Sequence, residues 1–310
     1  MCNMKLLVSL ITIIFVSSFA SANQPSTQFL KMGSLQVHYG VFSQVNEVIG
    51  DVLFLHGYGD SFLNHLALFK QLNESGLRVI GFDYPSHGKT QGMYWNDLDF
   101  HSFKSLTEIA EAVLNETSST TSRPLFIIGW STGGLHAIRI AQVPRFRKLF
   151  PSLSGLVLYA PGVAVKKCVG NSFCHITNET LNHDPLLRSR QIEPRSPLYR
   201  IDFAAKLIFN ATRSWYQGIP EHVPTLVFVG GEKDKYVKTK DIKSWVQLQR
   251  NQFSADINAI QCPQAFHELD NELPKYGGKF VREQSIAFVR SIVFKKTMLQ
   301  LPLEGLCREF

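Results

Sequence analysis

Leu125-Phe126-Ile127-Ile128-Gly129-Trp130-Ser131-Thr132-Gly133-Gly134 is the stretch on which the reading of this chain turns. Leu125–Ile128 is an unbroken apolar run, as expected of a strand buried on both faces. It runs straight into Gly-x-Ser-x-Gly at residues 129–133, and helical spacing follows from Thr132 to about Pro144. A lone Gly-x-Ser-x-Gly arises by chance. Between a strand and a helix it has a mechanical meaning: the serine sits on a sharp, strained turn with its hydroxyl raised above the sheet. Gly129 and Gly133 remove side chains that would clash as strand and helix close in, and the N–H of Thr132 points to where an oxyanion forms.

The same rhythm extends in both directions. Leu35–Phe42 alternates like a half-exposed strand, and Val52–Leu55, Arg78–Phe82, Leu156–Tyr159, Thr225–Val229 and Asp256–Ile260 read as buried strands, the last of these closing the series. Asn64–Glu74, Phe103–Asn115 and a final segment after Gly278, with Ile286, Val289 and Val293 on one face, have helical spacing. Alternating strands and helices with near-continuous apolar strands predict an α/β fold, a mostly parallel central sheet with helices on both faces. Between Gly162 and Pro224 the rhythm stops. That stretch carries Pro185, Pro194, Pro197 and Pro220, has helical character over Leu198–Asn210, and is too long for a plain connection. It reads as a partly helical cap over the carboxyl edge of the sheet. The expected organisation is a signal peptide at 1–22, a first core segment at 23–162, a cap at 163–223, and a second core segment with its tail at 224–310.

The signal-peptide reading rests on Lys5, the apolar core Leu6–Val16 and the small residues Ala20-Ser21-Ala22. The apolar stretch to Ala20 is shorter than the ~20 residues of a spanning helix, which disfavours an anchor. The chain is therefore expected to be exported, periplasmic or secreted. Hydrophobic residues make up 45% of the sequence and charged residues 18%, which excludes intrinsic disorder. Loss of Lys5 on cleavage lowers the net charge from +7 to +6. The surplus is diffuse, with no basic stripe, so nucleic acid is excluded as a partner and only a weak attraction to anionic lipid surfaces is admitted. The oligomeric state is not legible. Cys168, Cys174, Cys262 and Cys307 remain after cleavage, an even count that fits disulfides in an exported chain. Cys168 with Cys174, and Cys262 with Cys307, are the expected pairs. With no C-x-x-C and no clustered histidines, no metal site is expected. Sequons stand at Asn73, Asn115, Asn178 and Asn210, and matter only in a glycosylating secretory route.

A nucleophilic serine needs a base, and the base an orienting carboxylate. His267, a few residues after the Asp256–Ile260 strand, is the natural base. Asp234, after the Thr225–Val229 strand, is the preferred acid, with Glu232 as its rival. His56-Gly57-Tyr58-Gly59 follows an earlier strand, and the N–H of Tyr58 is the expected second oxyanion donor beside that of Thr132. His56 itself reads as a structural hydrogen-bonder. His38, His65, His101, His136 and His222 read as surface or core residues, whereas His175 and His183 lie in the cap near any substrate. Trp130 and Tyr58 are the candidate substrate contacts.

Taken together, His56–Gly59, Asp83-Tyr84-Pro85-Ser86-His87-Gly88 with Gly92, Gly129–Gly134, Gly231-x-x-Asp234-x-x-Val237, and His267-Glu268-Leu269 with Glu272 resemble the α/β-hydrolase family. The resemblance is to its monoacylglycerol lipase and lysophospholipase branch, also called serine aminopeptidase-like, and covers roughly residues 30–295. The family often has Gly-His-Gly-x-Ser-x-Gly where this chain has Ser86-His87-Gly88-Lys89-Thr90-Gln91-Gly92. It often has His-Ser-Met-Gly-Gly at the serine turn, where Trp130 and Thr132 stand here. The resemblance implies cofactor-free ester hydrolysis through Ser131, Asp234 and His267, with a lipid or small ester as substrate, monoacylglycerols and lysophospholipids foremost. A general short-chain carboxylesterase is the alternative. A proline-type peptidase typically carries His-Gly-Gly-Pro-Gly rather than His-Gly-Tyr-Gly, and a dehalogenase would carry Asp at position 131. A non-catalytic binding protein usually lacks a member of the triad.

Overall fold

The structure, a computed structural model, describes residues 26–43, 47–91, 103–117, 123–165, 178–186, 201–297 and 305–310. The proposed signal segment, Cys168, Cys174, His101, His175 and much of the proposed cap lie outside these residues.

Nine strands form one sheet: β1 (Ser26–Met32), β2 (Leu35–Phe42), β3 (Gly50–Leu55), β4 (Leu77–Phe82), β5 (Leu125–Trp130), β6 (Leu153–Tyr159), β7 (Thr225–Val229), β8 (Ile257–Gln261) and β9 (Arg308–Glu309). Their spatial order is β1-β2-β4-β3-β5-β6-β7-β8-β9. From β4 through β8 all neighbours are parallel, and β2 and β9 pair antiparallel with theirs. β3, β5 and β7 are buried at every position, as unbroken Val/Leu/Ile/Phe runs covered on both faces must be. The expected mostly parallel α/β sheet is what the chain forms.

The helices are α1 (Leu66–Glu74), α2 (Lys104–Glu116), α3 (Thr132–Gln142), the short α4 (Pro144–Arg147) and α5 (Asn178–Leu181), α6 (Ile201–Trp215), α7 (Thr239–Phe253) and α8 (Gly278–Val293). α1 and α8 pack together, on β4 and on β6 and β7 respectively, while α2, α3, α6 and α7 make a second contiguous layer. Between β6 and β7 the described residues form α5 and α6, and α6 lies on α3, the helix that follows Ser131.

Three local expectations are corrected. The strand expected at Asp256–Ile260 spans Ile257–Gln261 and is not the last. β9, only two residues long, has too little pattern to be read, and it is held beside β8 by the Cys262–Cys307 disulfide. β1 was not anticipated because its pattern is mostly exposed: it is an edge strand recruited by the hairpin with β2. Two of the sequon asparagines are closed to a glycan. Asn73 is buried and donates to the carbonyls of Phe42 and Leu77, and buried Asn210 donates to that of Lys206.

The disulfide closes a span of 45 residues. In the chain-entropy view, a loop of that length is worth about 4 kcal/mol through restriction of the unfolded chain. Cys262 also leads into the loop that carries His267, and its N–H and C=O bond Val229 and Ala265. Reduction, or Cys307→Ser, should lower the melting temperature by several degrees and loosen the tail. An unchanged melting temperature under reducing and oxidising conditions would show that the bond contributes nothing. Among the described residues, no helix is long and apolar enough to cross a membrane.

Candidate active site

The loops leaving the carboxyl ends of β3, β5, β7 and β8 meet at one edge of the sheet. Ser131 stands between β5 and α3 at φ 53°, ψ −113°, a conformation that costs a non-glycine residue on the order of 1–3 kcal/mol. The fold holds it there from both sides: the Ser131 N–H donates to the Tyr159 carbonyl, and its own carbonyl accepts from Leu135 and Gly162. The close approach explains the glycine that follows. A Cβ on Gly133 would lie 1.9 Å from the Leu55 carbonyl oxygen, so β3 and the start of α3 touch backbone to backbone.

His267 Nε2 lies 2.8 Å from Ser131 Oγ, and His267 Nδ1 lies 2.8 Å from Asp234 Oδ2. The serine, acid and histidine of three separate loops are thus brought into one hydrogen-bonded line. Asp234 and His267 are buried. The second oxygen of Asp234 accepts from the N–H groups of Tyr236 and Val237, which fixes the carboxylate so that Oδ2 meets the imidazole. Glu232 is exposed, and Asp234 is the carboxylate at the histidine.

Thr132 is the first residue of α3, so its N–H has no acceptor within the helix. Tyr58 lies in the turn after β3, half-buried, its ring edge-on to His87 at 5.2 Å. Behind that turn, His56 Nδ1–H donates to the Gly57 carbonyl at 2.7 Å, leaving Nε2 to accept from the Tyr84 N–H at 2.9 Å. Burial pushes the His56 pKa down, so it is a neutral brace and not a base. Asp83 supports the same region, accepting from Ser61 Oγ and the N–H of Phe62. His136, buried between Tyr84 and Thr107, is pushed down to about 3 by desolvation. His87 is pushed down to about 4 by burial and by neighbouring His56. Both are neutral core histidines.

Trp130 does not stand in the mouth of the site as a substrate contact would. It is 1% exposed, its ring lies where any Cβ on Gly57 would be, 2.6 Å away, and its indole N–H donates to the His267 carbonyl at 3.0 Å. The residue positions the base from beneath. Other supports of the His267 loop come from Glu272 and from the segment around residues 181–183. Glu272 accepts from the Phe266 N–H and sits against His183, while the Glu268 N–H donates to the Leu181 carbonyl. His183 is stacked between the rings of Phe266 and Tyr276.

A strained serine between a parallel strand and a helix, followed in the chain by a buried carboxylate and then a histidine, is an arrangement with known relatives. Residues 46–183 match the family model for serine aminopeptidase, S33. The chain has the α/β-hydrolase fold. Among solved structures, the chain is similar to a soluble variant of monoglyceride lipase from Saccharomyces cerevisiae in complex with a substrate analog, with TM-score 0.68, 17% identity, 86% of this chain and 94% of that one covered. It is also similar to the monoacylglycerol lipase of Paleococcus ferrophilus, with TM-score 0.61, 21% identity and coverage of 83% and 98%. A thermostable carboxyl esterase from Bacillus coagulans in complex with glycerol aligns with TM-score 0.68, 17% identity and coverage of 87% and 98%. At these identities the likeness is one of fold. No curated protein sequence matches the chain.

Proposed function

We propose that this α/β-hydrolase cleaves carboxylic esters of lipids, monoacylglycerols or lysophospholipids, through Ser131, His267 and Asp234. The observation that carries the reading is the hydrogen-bonded line from Ser131 Oγ through His267 to Asp234. His267 takes the proton from Ser131 Oγ as that oxygen attacks the ester carbonyl. Asp234 keeps the Nδ1–H tautomer and stabilises the imidazolium. The N–H groups of Tyr58 and Thr132 receive the oxyanion. His267 then gives its proton to the departing alkoxide, which leaves as the alcohol. Water, deprotonated by the same imidazole, attacks the acyl-serine; the carboxylic acid leaves and Ser131 is restored. Every proton is accounted for by His267.

Two observations favour a lipid. The similar Saccharomyces cerevisiae and Paleococcus ferrophilus structures are a monoglyceride and a monoacylglycerol lipase. Leu186, Ile208 and Tyr216, exposed by 53, 46 and 73%, lie between β6 and β7, where large apolar side chains in water suit an amphipathic substrate or a lipid surface. Export under direction of residues 1–22 is part of the same proposal.

The test is a panel of purified protein against long-chain monoacylglycerol, lysophosphatidylcholine, short and long p-nitrophenyl esters and an aminoacyl-proline substrate. Long-chain lipid turnover exceeding that of short esters is the expected result. Activity on short esters alone would make the protein a general carboxylesterase, and release of the aminoacyl group would make it a peptidase.

A further inference from the structure

His65 is not part of the serine–histidine–aspartate line, yet it is fully buried and in contact with three carboxylates. Its Nε2 lies 2.8 Å from Asp60 Oδ2, its Nδ1 2.7 Å from Asp270 Oδ2, and Glu268 Oε1 is 4.0 Å from Nε2. Asp60 belongs to the turn after β3, two residues beyond Tyr58. Glu268 and Asp270 belong to the loop that carries His267, one and three residues beyond it. Both ring nitrogens face carboxylate oxygens at hydrogen-bond distance, so both must carry protons. Asp60, His65 and Glu268 converge closely enough to hold a cation, and the imidazolium is itself that cation.

We propose that His65 is a positioning residue: a buried imidazolium that clamps the oxyanion turn to the loop of the catalytic histidine, keeping the Tyr58 N–H and His267 in register about Ser131. The proposal rests on the reading of Ser131 and His267 given above.

The remaining contacts fit a clamp. Asn64 Nδ2 donates to Asp60 Oδ1 at 2.7 Å, and Asn271 Nδ2 bridges Glu268 Oε1 and the Asn64 carbonyl at 3.1 Å each. The bond from Asn271 to the Asn64 carbonyl is a further tie between the same two loops, and the other two hold Asp60 and Glu268 in place within them. Asn182 Nδ2 caps the other oxygen of Glu268 at 2.6 Å, and Arg282 donates to the Asp270 carbonyl. The ring of His65 lies 5.5 Å from that of Trp130, whose N–H holds the His267 carbonyl. Although burial alone would lower it, the pKa of His65 is raised to about 10 by Asp270 and Asp60. The charge is therefore kept throughout the range in which an ester hydrolase works.

Removing the imidazolium leaves Asp60, Glu268 and Asp270 buried together without a counter-charge. They then repel one another unless they take up protons. That predicts a signature which loss of packing does not share. The probe is a fluorophosphonate, whose phosphorus accepts Ser131 Oγ as fluoride leaves, so that its rate needs the base and the oxyanion donors but not the natural substrate. His65→Gln should label about tenfold or more slowly than wild type near pH 8, since small displacements of reacting groups are costly. The rate relative to wild type should recover about threefold or more toward pH 5.5, as the carboxylates protonate. Asp270→Asn should slow labelling in the wild-type background and restore it in His65→Gln, a coupling of opposite sign that a double-mutant cycle detects. Wild-type labelling by His65→Gln near pH 8, or a deficit that is flat with pH and unrelieved by Asp270→Asn, would overturn the proposal. If His65→Gln does not fold, the single variant Asp270→Asn decides, an unchanged rate counting against the clamp. Amide exchange separates the clamp from the catalytic reading. Residues 57–61 and 266–272 should accelerate together in Asp270→Asn, and independent behaviour of the two loops refutes the clamp. Failure of wild-type protein to label at all would refute the role of Ser131 and leave the exchange result to decide on His65.

Discussion

Ser131→Ala is expected to lower ester hydrolysis by on the order of 10⁴–10⁶-fold while the protein stays folded, because removal of a serine nucleophile leaves only binding and the oxyanion donors to act. The structure explains why the two effects separate. The side chain lost is a single oxygen, bonded to His267 Nε2 at 2.8 Å. The conformation at position 131 is held by backbone hydrogen bonds to Tyr159, Leu135 and Gly162, which alanine retains. A neutral hydrogen bond contributes about 1 kcal/mol net, so the melting temperature should move by only a few degrees in either direction. Turnover of a p-nitrophenyl ester beside a thermal melt measures both. Residual turnover near the wild-type rate would show that the oxygen of Ser131 is not the nucleophile.

Asp234→Asn should cost about 10⁴-fold in kcat, whereas Glu232→Gln should stay within about twofold. The contrast follows from what each carboxylate touches. Asp234 is buried, accepts two backbone N–H groups on one oxygen and presents the other to His267 Nδ1. An amide there either offers an N–H to the imidazole, turning it to the tautomer that cannot take the serine proton, or turns that N–H toward the donors of Tyr236 and Val237. Glu232 is exposed, where charge is screened by water and worth little to a distant base. The measurement is kcat for one ester substrate across the two variants. A larger loss in Glu232→Gln would move the acid to that residue.

How much of this was legible beforehand varies with the range of the interaction. The buried strands were readable because burial on both faces demands continuous apolar runs, and Val52–Leu55, Leu125–Ile128 and Thr225–Val229 have no other use for such residues. The serine turn was readable because its glycines are imposed by backbone contact, Gly129 against Gly133 and Gly133 against the Leu55 carbonyl of β3, wherever a strand turns so sharply into a helix. β1 was missed since an exposed edge strand obeys no such demand, and β9 since two residues carry no period. The choice between Asp234 and Glu232 depended on which side chain points inward from one short loop, and two residues of separation there decide burial against exposure.

Trp130 shows the same division from the other side. Its place beside Ser131 in the chain pointed to the substrate, yet packing against Gly57 turns it under the site to hold His267. His65 read as one more core or surface histidine, because nothing near it in sequence except Asp60 bears on its charge. Its other partners, Glu268 and Asp270, arrive only when the loop after β8 meets the turn after β3 at the carboxyl ends of the strands. The sequence by itself determined the layers, the order of the buried strands along the chain and the serine turn with the histidine that meets it, since each rests on local covalent or periodic constraints. The tertiary structure alone decided which carboxylate meets His267, which aromatic supports it and which histidine is set among carboxylates, since those depend on side-chain direction and on groups far apart in the chain.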